Sequence, residues 1–150
     1  MSDYLETSIE KFIFKVATDR FYTPEGLWIK YKDDVIQLGV TDFFQQRNGD
    51  AAFVNLQPMG TLIKLNGEIA SVETIKVNLS LASPVTGKII NVNKNVEAKP
   101  ELINQDPYGE GWFYEVSADN WSDESKQLLS PEQYFVIMRK EAEEEVKRNE

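Results

Sequence analysis

Ser71-Val72-Glu73-Thr74-Ile75-Lys76-Val77-Asn78-Leu79-Ser80-Leu81-Ala82-Ser83-Pro84-Val85-Thr86-Gly87 is the stretch on which the fold turns. A strand entering at Val72 and another leaving near Leu81 place Lys76 and Val77 at a tight bend, the most projecting point of the β-structure. A lysine there is solvated and open to a modifying enzyme. Held by a rigid scaffold, it suits a covalent swinging arm: the fold supplies position and the attached group supplies the chemistry. Taken alone, Glu73-Thr74-Ile75-Lys76 says little, because charged pairs at this spacing are common and a loop lysine ordinarily serves solubility.

Outward from this bend the sequence shows similar flanks. Gly60-Thr61-Leu62-Ile63-Lys64-Leu65-Asn66, shifted by 27 positions, falls on Gly87-Lys88-Ile89-Ile90-Asn91-Val92-Asn93, and Ile69 falls on Val96. This predicts two halves packing their inward faces about a pseudo-two-fold axis. The alternative is that β-rich stretches resemble one another at some offset. From Ala51 to Val116 short runs punctuated by Gly, Asn and Pro predict the strands of a small barrel or sandwich. Leu27 to Tyr31 and Val35 to Val40 predict a hairpin around Lys32-Asp33-Asp34, and Thr41-Asp42 can cap a short helix that ends at Asn48-Gly49. At the C-terminus, Ser130-Pro131-Glu132-Gln133 starts a helix with Tyr134, Met138, Ala142 and Val146 on its buried face and Glu143–Lys147 and Glu144–Arg148 pairs outside. The first twenty residues are ambiguous. Leu5, Ile9, Phe12 and Val16 stand at helical spacing, while Phe12, Phe14 and Val16 alternate as in a strand; they are read as an extension packed onto the body.

Composition narrows the chemistry. The 150 residues, 41% of them hydrophobic, suit one globular domain. A net charge of −9 opposes binding to phosphate backbones and anionic lipids, so neither nucleic acid nor membrane is an expected partner. With no cysteine and no histidine, the chain lacks a thiolate nucleophile, the usual zinc ligands and the usual proton-transfer group. No metal site is expected. No run approaches the roughly 20 apolar residues of a bilayer span, and Ser2-Asp3-Tyr4-Leu5-Glu6 has no secretory character, so a cytoplasmic location is expected. Asp33-Asp34 is the obvious carboxylate pair for an enzyme, yet it sits in a hairpin turn, where Asp bonds its own backbone.

Beyond these readings, the run Glu73-Thr74-Ile75-Lys76, with Ser83-Pro84-Val85-Thr86-Gly87-Lys88-Ile89 after it, resembles the lipoyl-lysine region of the glycine cleavage system H proteins. Trp28-Ile29, Gly39-Val40-Thr41-Asp42-Phe43, Gly49-Asp50, Pro100-Glu101-Leu102-Ile103-Asn104 and Pro107-Tyr108-Gly109-Glu110-Gly111-Trp112 follow in the family's order. The resemblance runs from about Tyr22 to the C-terminal helix. It implies a mainly β, barrel-sandwich hybrid with a short internal helix and a C-terminal α-helix, organised as an N-terminal extension over residues 1–20 and a carrier domain over 21–150. It implies a non-catalytic carrier with lipoate in amide linkage on Lys76, and Glu73 as the acidic residue by which the lipoate-attaching enzyme recognises the hairpin; a solvated strand residue is the plainer reading of Glu73. It implies three further partners: a glycine decarboxylase that loads aminomethyl onto the arm, an aminomethyltransferase that unloads it, and a dihydrolipoamide dehydrogenase that reoxidises it. The glycines of Pro107 to Gly111 are read as a turn before a strand from Trp112 to Val116, with Trp112 as a buried anchor.

Three positions depart from the family's pattern. Gly26-Leu27 stand where a His-Glu pair is common, Val77-Asn78-Leu79-Ser80 where small residues precede Ser-Asp, and Arg47 near a frequent histidine. In the resemblance these segments line the cleft that shelters a charged cargo, so fewer acceptors and an added like charge are expected there. They favour a second reading, an H-like lipoyl carrier for a sulfur-oxidising system with a heterodisulfide-reductase-like complex, or a lipoate relay. A biotin carrier fits less well, because Ile75 and Val77 rather than methionines flank the lysine. An unmodified interaction module of the same fold is the remaining alternative.

Overall fold

The structure, a computed structural model, describes residues 3–148. In chain order the elements are β1 (Tyr4–Ile9), β2 (Phe12–Ala17), β3 (Phe21–Tyr22), β4 (Leu27–Lys32), β5 (Val35–Val40), α1 (Asp42–Asn48), β6 (Ala51–Leu56), β7 (Leu62–Ile63), β8 (Glu68–Thr74), β9 (Asn78–Ala82), β10 (Gly87–Val92), α2 (Lys94–Ala98), α3 (Leu102–Gln105), β11 (Tyr114–Ala118), α4 (Trp121–Glu124) and α5 (Pro131–Arg148). The strands form a six-stranded sheet in the order β3-β4-β5-β11-β10-β7, a three-stranded sheet β6-β8-β9 and a separate β1–β2 hairpin, all antiparallel.

The two larger sheets bury one core between them. Ile29, Leu38, Val72, Leu81, Ile89 and Phe113 meet in it, none more than 5% exposed, each worth about 1.5–3 kcal/mol relative to exposure. The β4–β5 turn is Asp33-Asp34, with φ of 53° and 64°, the two left-handed residues of the tight turns whose twist matches their strands. Tyr31 donates its hydroxyl hydrogen to Asp34 Oδ1 at 2.9 Å, so this carboxylate pair is occupied in turn geometry. Gly39 lies under the Trp28 indole, where any Cβ would press on the ring.

A second core joins the chain ends. Phe14 and Val16 of β2 pack with Tyr22, Trp28, Phe43 and the Tyr134, Met138 and Ala142 face of α5. The reciprocal cap expected of Ser130 and Gln133 is formed: Gln133 N donates to Ser130 Oγ at 3.1 Å and Ser130 N to Gln133 Oε1 at 2.9 Å. Thr41 Oγ1 caps α1 by accepting from Phe44 N at 3.1 Å, and the Thr41 and Tyr134 hydroxyls share a hydrogen bond of 2.9 Å that ties α1 to α5.

The N-terminal segment, open between helix and strand in the sequence, is a hairpin turning at Glu10-Lys11 with Glu10 at φ 55°, packed onto the second core. Several other expectations are corrected. The similar flanks do not face each other as halves of a sandwich; β7 and β10 are neighbours in one sheet, Ile63 opposite Gly87. The 27-residue shift also sets exposed Leu62 (78%) on buried Ile89 (0%), a one-residue slip that inverts the faces. Four short helices are present among the described residues where one was expected, α2 and α3 falling within the predicted strand region. Trp112 is only half-buried; Phe113 is the buried anchor, and the strand begins at Tyr114. On α5, Glu143 pairs back to Arg139 at 3.2 Å rather than forward to Lys147, and no Glu144–Arg148 ion pair is formed among the described residues.

Candidate functional site

β8 and β9 run antiparallel from Glu68↔Ala82 to Glu73↔Asn78, leaving Thr74-Ile75-Lys76-Val77 as the tip. Threonine at its start organises the bend. Thr74 N donates to Val77 O at 2.8 Å, and Thr74 Oγ1 accepts from Lys76 N at 3.1 Å and Val77 N at 3.0 Å. The side chain thus satisfies the donors that a bend leaves open. Ile75 N donates to Asp50 O at 3.3 Å, tying the tip to the segment after α1. The backbone under Lys76 is therefore fixed while the side chains project. Lys76 is exposed, with Ile75 77% and Val77 42% exposed beside it.

Lys76 makes no ion pair among the described residues, with Glu73 or any other. Glu73 is half-buried at the end of β8, between Phe53 of β6 and Asn78 of β9. The Lys76 stem runs beside Gly49, the residue at φ 86° that ends α1, so that a Cβ on Gly49 would meet Lys76 Cδ and Cε at 3.6 Å.

Lys76 also lines a cleft of about 170 Å³. Phe12 and Phe14 of β2, Phe43, Gln46 and Arg47 of α1, and Ala142, Glu145 and Val146 of α5 form the rest of it. Arg47 Nη1 contacts Glu141 Oε2 at 3.1 Å and its Nη2 contacts Glu145 Oε2 at 2.9 Å, with the guanidinium 4.8 Å from the Phe43 ring centroid. The like charge expected of Arg47 is thus offset by two carboxylates from α5.

Of the three departures noted in the sequence, only Arg47 lines this cleft. Leu27 is 2% exposed in the barrel core, and Leu79 packs against the same cluster. Ser80 donates its hydroxyl to Glu68 Oε1 at 2.6 Å, along the sheet. Gly26, at φ 102°, packs against Phe44 and Thr41. Phe12, Phe14, Glu145 and Val146 were missed in the sequence because the cleft assembles from the two chain ends; the alternation of Phe12 and Phe14 was the one available signal. Among the described residues, no cluster of three or more His, Cys, Asp or Glu side chains is placed to hold a metal, and no helix is long and apolar enough to cross a membrane.

Comparison with known proteins gives a consistent result. The sequence profile of the family described as "Glycine cleavage H-protein" matches residues 20–141. The probable glycine cleavage system H protein of Natronomonas pharaonis is 40% identical over 121 residues, 81% of this chain and 94% of that protein. The glycine cleavage system H protein of Carboxydothermus hydrogenoformans is 38% identical over 128 residues, covering 85% and 98%. A crystal structure of the glycine cleavage system H protein from Mycobacterium marinum superposes with a TM-score of 0.72 at 30% identity, covering 79% of this chain and 95% of that one. With its barrel-sandwich architecture and a profile match over most of its length, the chain belongs to the glycine cleavage H-protein family, whose members are non-catalytic carriers bearing lipoate on a lysine.

Proposed function

We propose that Lys76 is the lipoyl-bearing residue and that the protein shuttles the aminomethyl group of glycine from a glycine decarboxylase to an aminomethyltransferase, with a dihydrolipoamide dehydrogenase restoring the arm. The observation that supports this most is the exposed Lys76, without an ion pair among the described residues, on a bend whose backbone is fixed by Thr74 and Asp50. Bound lipoate supplies a disulfide that opens to take cargo and closes when the cargo has left. The protein's own residues supply position. Thr74 presents the lysine at one place, Gly49, at φ 86°, ends α1 beside its stem, and Glu73 stands three residues before it as a recognition mark for the lipoate-attaching enzyme. Tethering raises the effective concentration of the cargo toward the millimolar range at each docked partner.

The buried Leu27, standing where the family's pattern commonly has an acid, favours a second reading: a lipoyl carrier of the same fold serving a sulfur-oxidising system. The lipoylated protein distinguishes the two by whether glycine decarboxylase loads it.

The attachment site is tested by incubating the protein with a lipoate ligase and mapping the modified peptide. Lipoate is expected on Lys76 alone. Lys76→Arg should accept none and keep its stability within about 0.5 kcal/mol, as expected of a solvated tip side chain. Modification of Lys64 or Lys88, or a Lys76→Arg protein that unfolds, would overturn the assignment.

A further inference from the structure

Asn104 lies on α3, away from the hairpin that bears the lysine, yet its carboxamide leads to it by a short run of hydrogen bonds. Resting on the reading that Lys76 carries lipoate, we propose that Asn104 is a positioning residue for the attachment reaction: it fixes the turn between α1 and β6, and that turn sets the direction in which the Lys76 bend projects.

The bend is closed from within and aimed from outside. Thr74 closes it by accepting from Lys76 N and Val77 N, and these bonds travel with the hairpin wherever it points. Its tie to the turn is the bond of 3.3 Å from Ile75 N to Asp50 O. Asp50 is exposed and belongs to no helix or strand. The neighbouring ladder holds it poorly, because the β6–β8 register shifts between Ala51 and Phe53, and such an irregularity interrupts pairing just where the strands reach the tip.

Asn104 makes good this gap. Its Oδ1 accepts from Ala51 N at 2.9 Å, and its Nδ2 donates to Gly49 O at 3.1 Å and to Gln45 Oε1 at 3.2 Å. Ala51 N and Asp50 O belong to one peptide unit. In a planar trans peptide the N–H and C=O point in opposite directions, so the carboxamide that draws the N–H to one side aims the carbonyl on the other side at Ile75. Holding Gly49 O as well, Asn104 fixes two successive peptide units. Its orientation is dictated by its partners, since Ala51 N can only donate and Gly49 O can only accept. Gln45 is committed in the same sense, because its Nε2 donates to Asp42 Oδ1 at 2.9 Å and leaves Oε1 to receive Asn104. Without this carboxamide the bend keeps its shape but samples several directions. An enzyme that must take the lysine in one direction then meets a smaller competent fraction, which weakens apparent binding by that fraction and leaves the step after binding unchanged.

The test uses the full chain as the substrate of a lipoate ligase whose other substrates are saturating. Asn104→Ala should raise KM for the protein by about three- to tenfold with kcat unchanged, as a competent fraction of about a tenth to a third implies. Gln45→Ala, which removes one partner of the carboxamide, should raise KM by a smaller factor, about twofold. Met138→Ala, destabilised through the second core, is the control for lost stability and should keep the parent KM. The Ile75 amide signal should move in Asn104→Ala and Gln45→Ala and stay in place in Met138→Ala, while the Lys76 and Val77 amides, held by Thr74, move far less in all three. A parent protein that takes up no lipoate on Lys76 overturns both this proposal and the reading on which it rests. With the parent lipoylated on Lys76, a parent-like KM in Asn104→Ala, or the same rise in Met138→Ala, overturns the positioning role alone. If Asn104→Ala does not fold, Gln45→Ala decides: a parent-like KM with Ile75 unmoved overturns the role.

Discussion

At Lys76 the backbone and the side chain have separate tasks, and Thr74 is what separates them. Its hydroxyl accepts from two successive amides, so the bend holds without glycine and leaves the lysine free. The attachment site was legible because its residues are contiguous; of the cleft beside it only Arg47 was, because Phe12, Phe14 and Glu145 come to it from the two chain ends and meet only after folding. Tyr114 illustrates a different residue-scale constraint. Fully buried between the sheets, it accepts from Gln57 N and donates to Ile69 O, both at 2.6 Å, and so fastens the segment after β6 to the start of β8. Tyr114→Phe leaves the Gln57 amide and the Ile69 carbonyl without that partner and should cost about 1–3 kcal/mol in urea unfolding. Burial also pushes the Tyr114 hydroxyl from 10.0 up to about 12. The folded state then holds this proton more tightly than the unfolded chain does. Its contribution is complete below about pH 10 and declines as pH rises toward about 12. Unfolding measured across that window should show a shallower pH slope in Tyr114→Phe than in the parent; equal slopes would mean that the other buried tyrosines carry the whole dependence.

Among the elements, legibility followed the strength of local signals. The C-terminal helix was readable because Ser-Pro-Glu-Gln specifies its start chemically, and the β4–β5 hairpin because Asp33-Asp34 tolerates the left-handed region that a tight turn requires. The N-terminal hairpin was not, because its turn uses Glu10 at φ 55° with neither glycine nor asparagine to announce it. Its apolar residues also satisfy both periodicities. The short α2, α3 and α4 span too few residues for a period to show; only Asn93, whose side chain accepts from Asn95 N at 3.2 Å, marks the start of α2. The apparent repeat misled because a one-residue slip preserves similarity while reversing which side faces the core. The strength of the α5 start can be measured. Ser130→Ala should destabilise by about 0.5–2 kcal/mol. Because Ser130 and Gln133 bond reciprocally, Gln133→Ala added to it should cost less than the sum of the single changes. Strict additivity would show the two bonds to act independently.

At the scale of the whole molecule there are two cores with different duties. The barrel core, between the large sheets, sets the tip that bears Lys76; the second core, where β2, α1 and α5 meet around Tyr22, Trp28 and Tyr134, sets the cleft. The two share strand β4, since Trp28 faces the second core while Leu27 and Ile29 belong to the first. A lesion confined to the second core should therefore loosen the chain ends and spare the lysine hairpin. Met138→Ala is such a lesion: the side chain is 1% exposed on α5, and large-to-small changes of this kind cost about 2–5 kcal/mol. Native-state hydrogen exchange on the full chain should show faster exchange of the amides of β1, β2 and α5, with β8, β9 and β11 close to their parent rates. Lipoylation of Lys76 should proceed as in the parent, because the ligase meets an intact bend. Uniformly accelerated exchange through β8 and β9 would instead show one cooperative unit, and the division of labour between barrel and chain ends would fail with it.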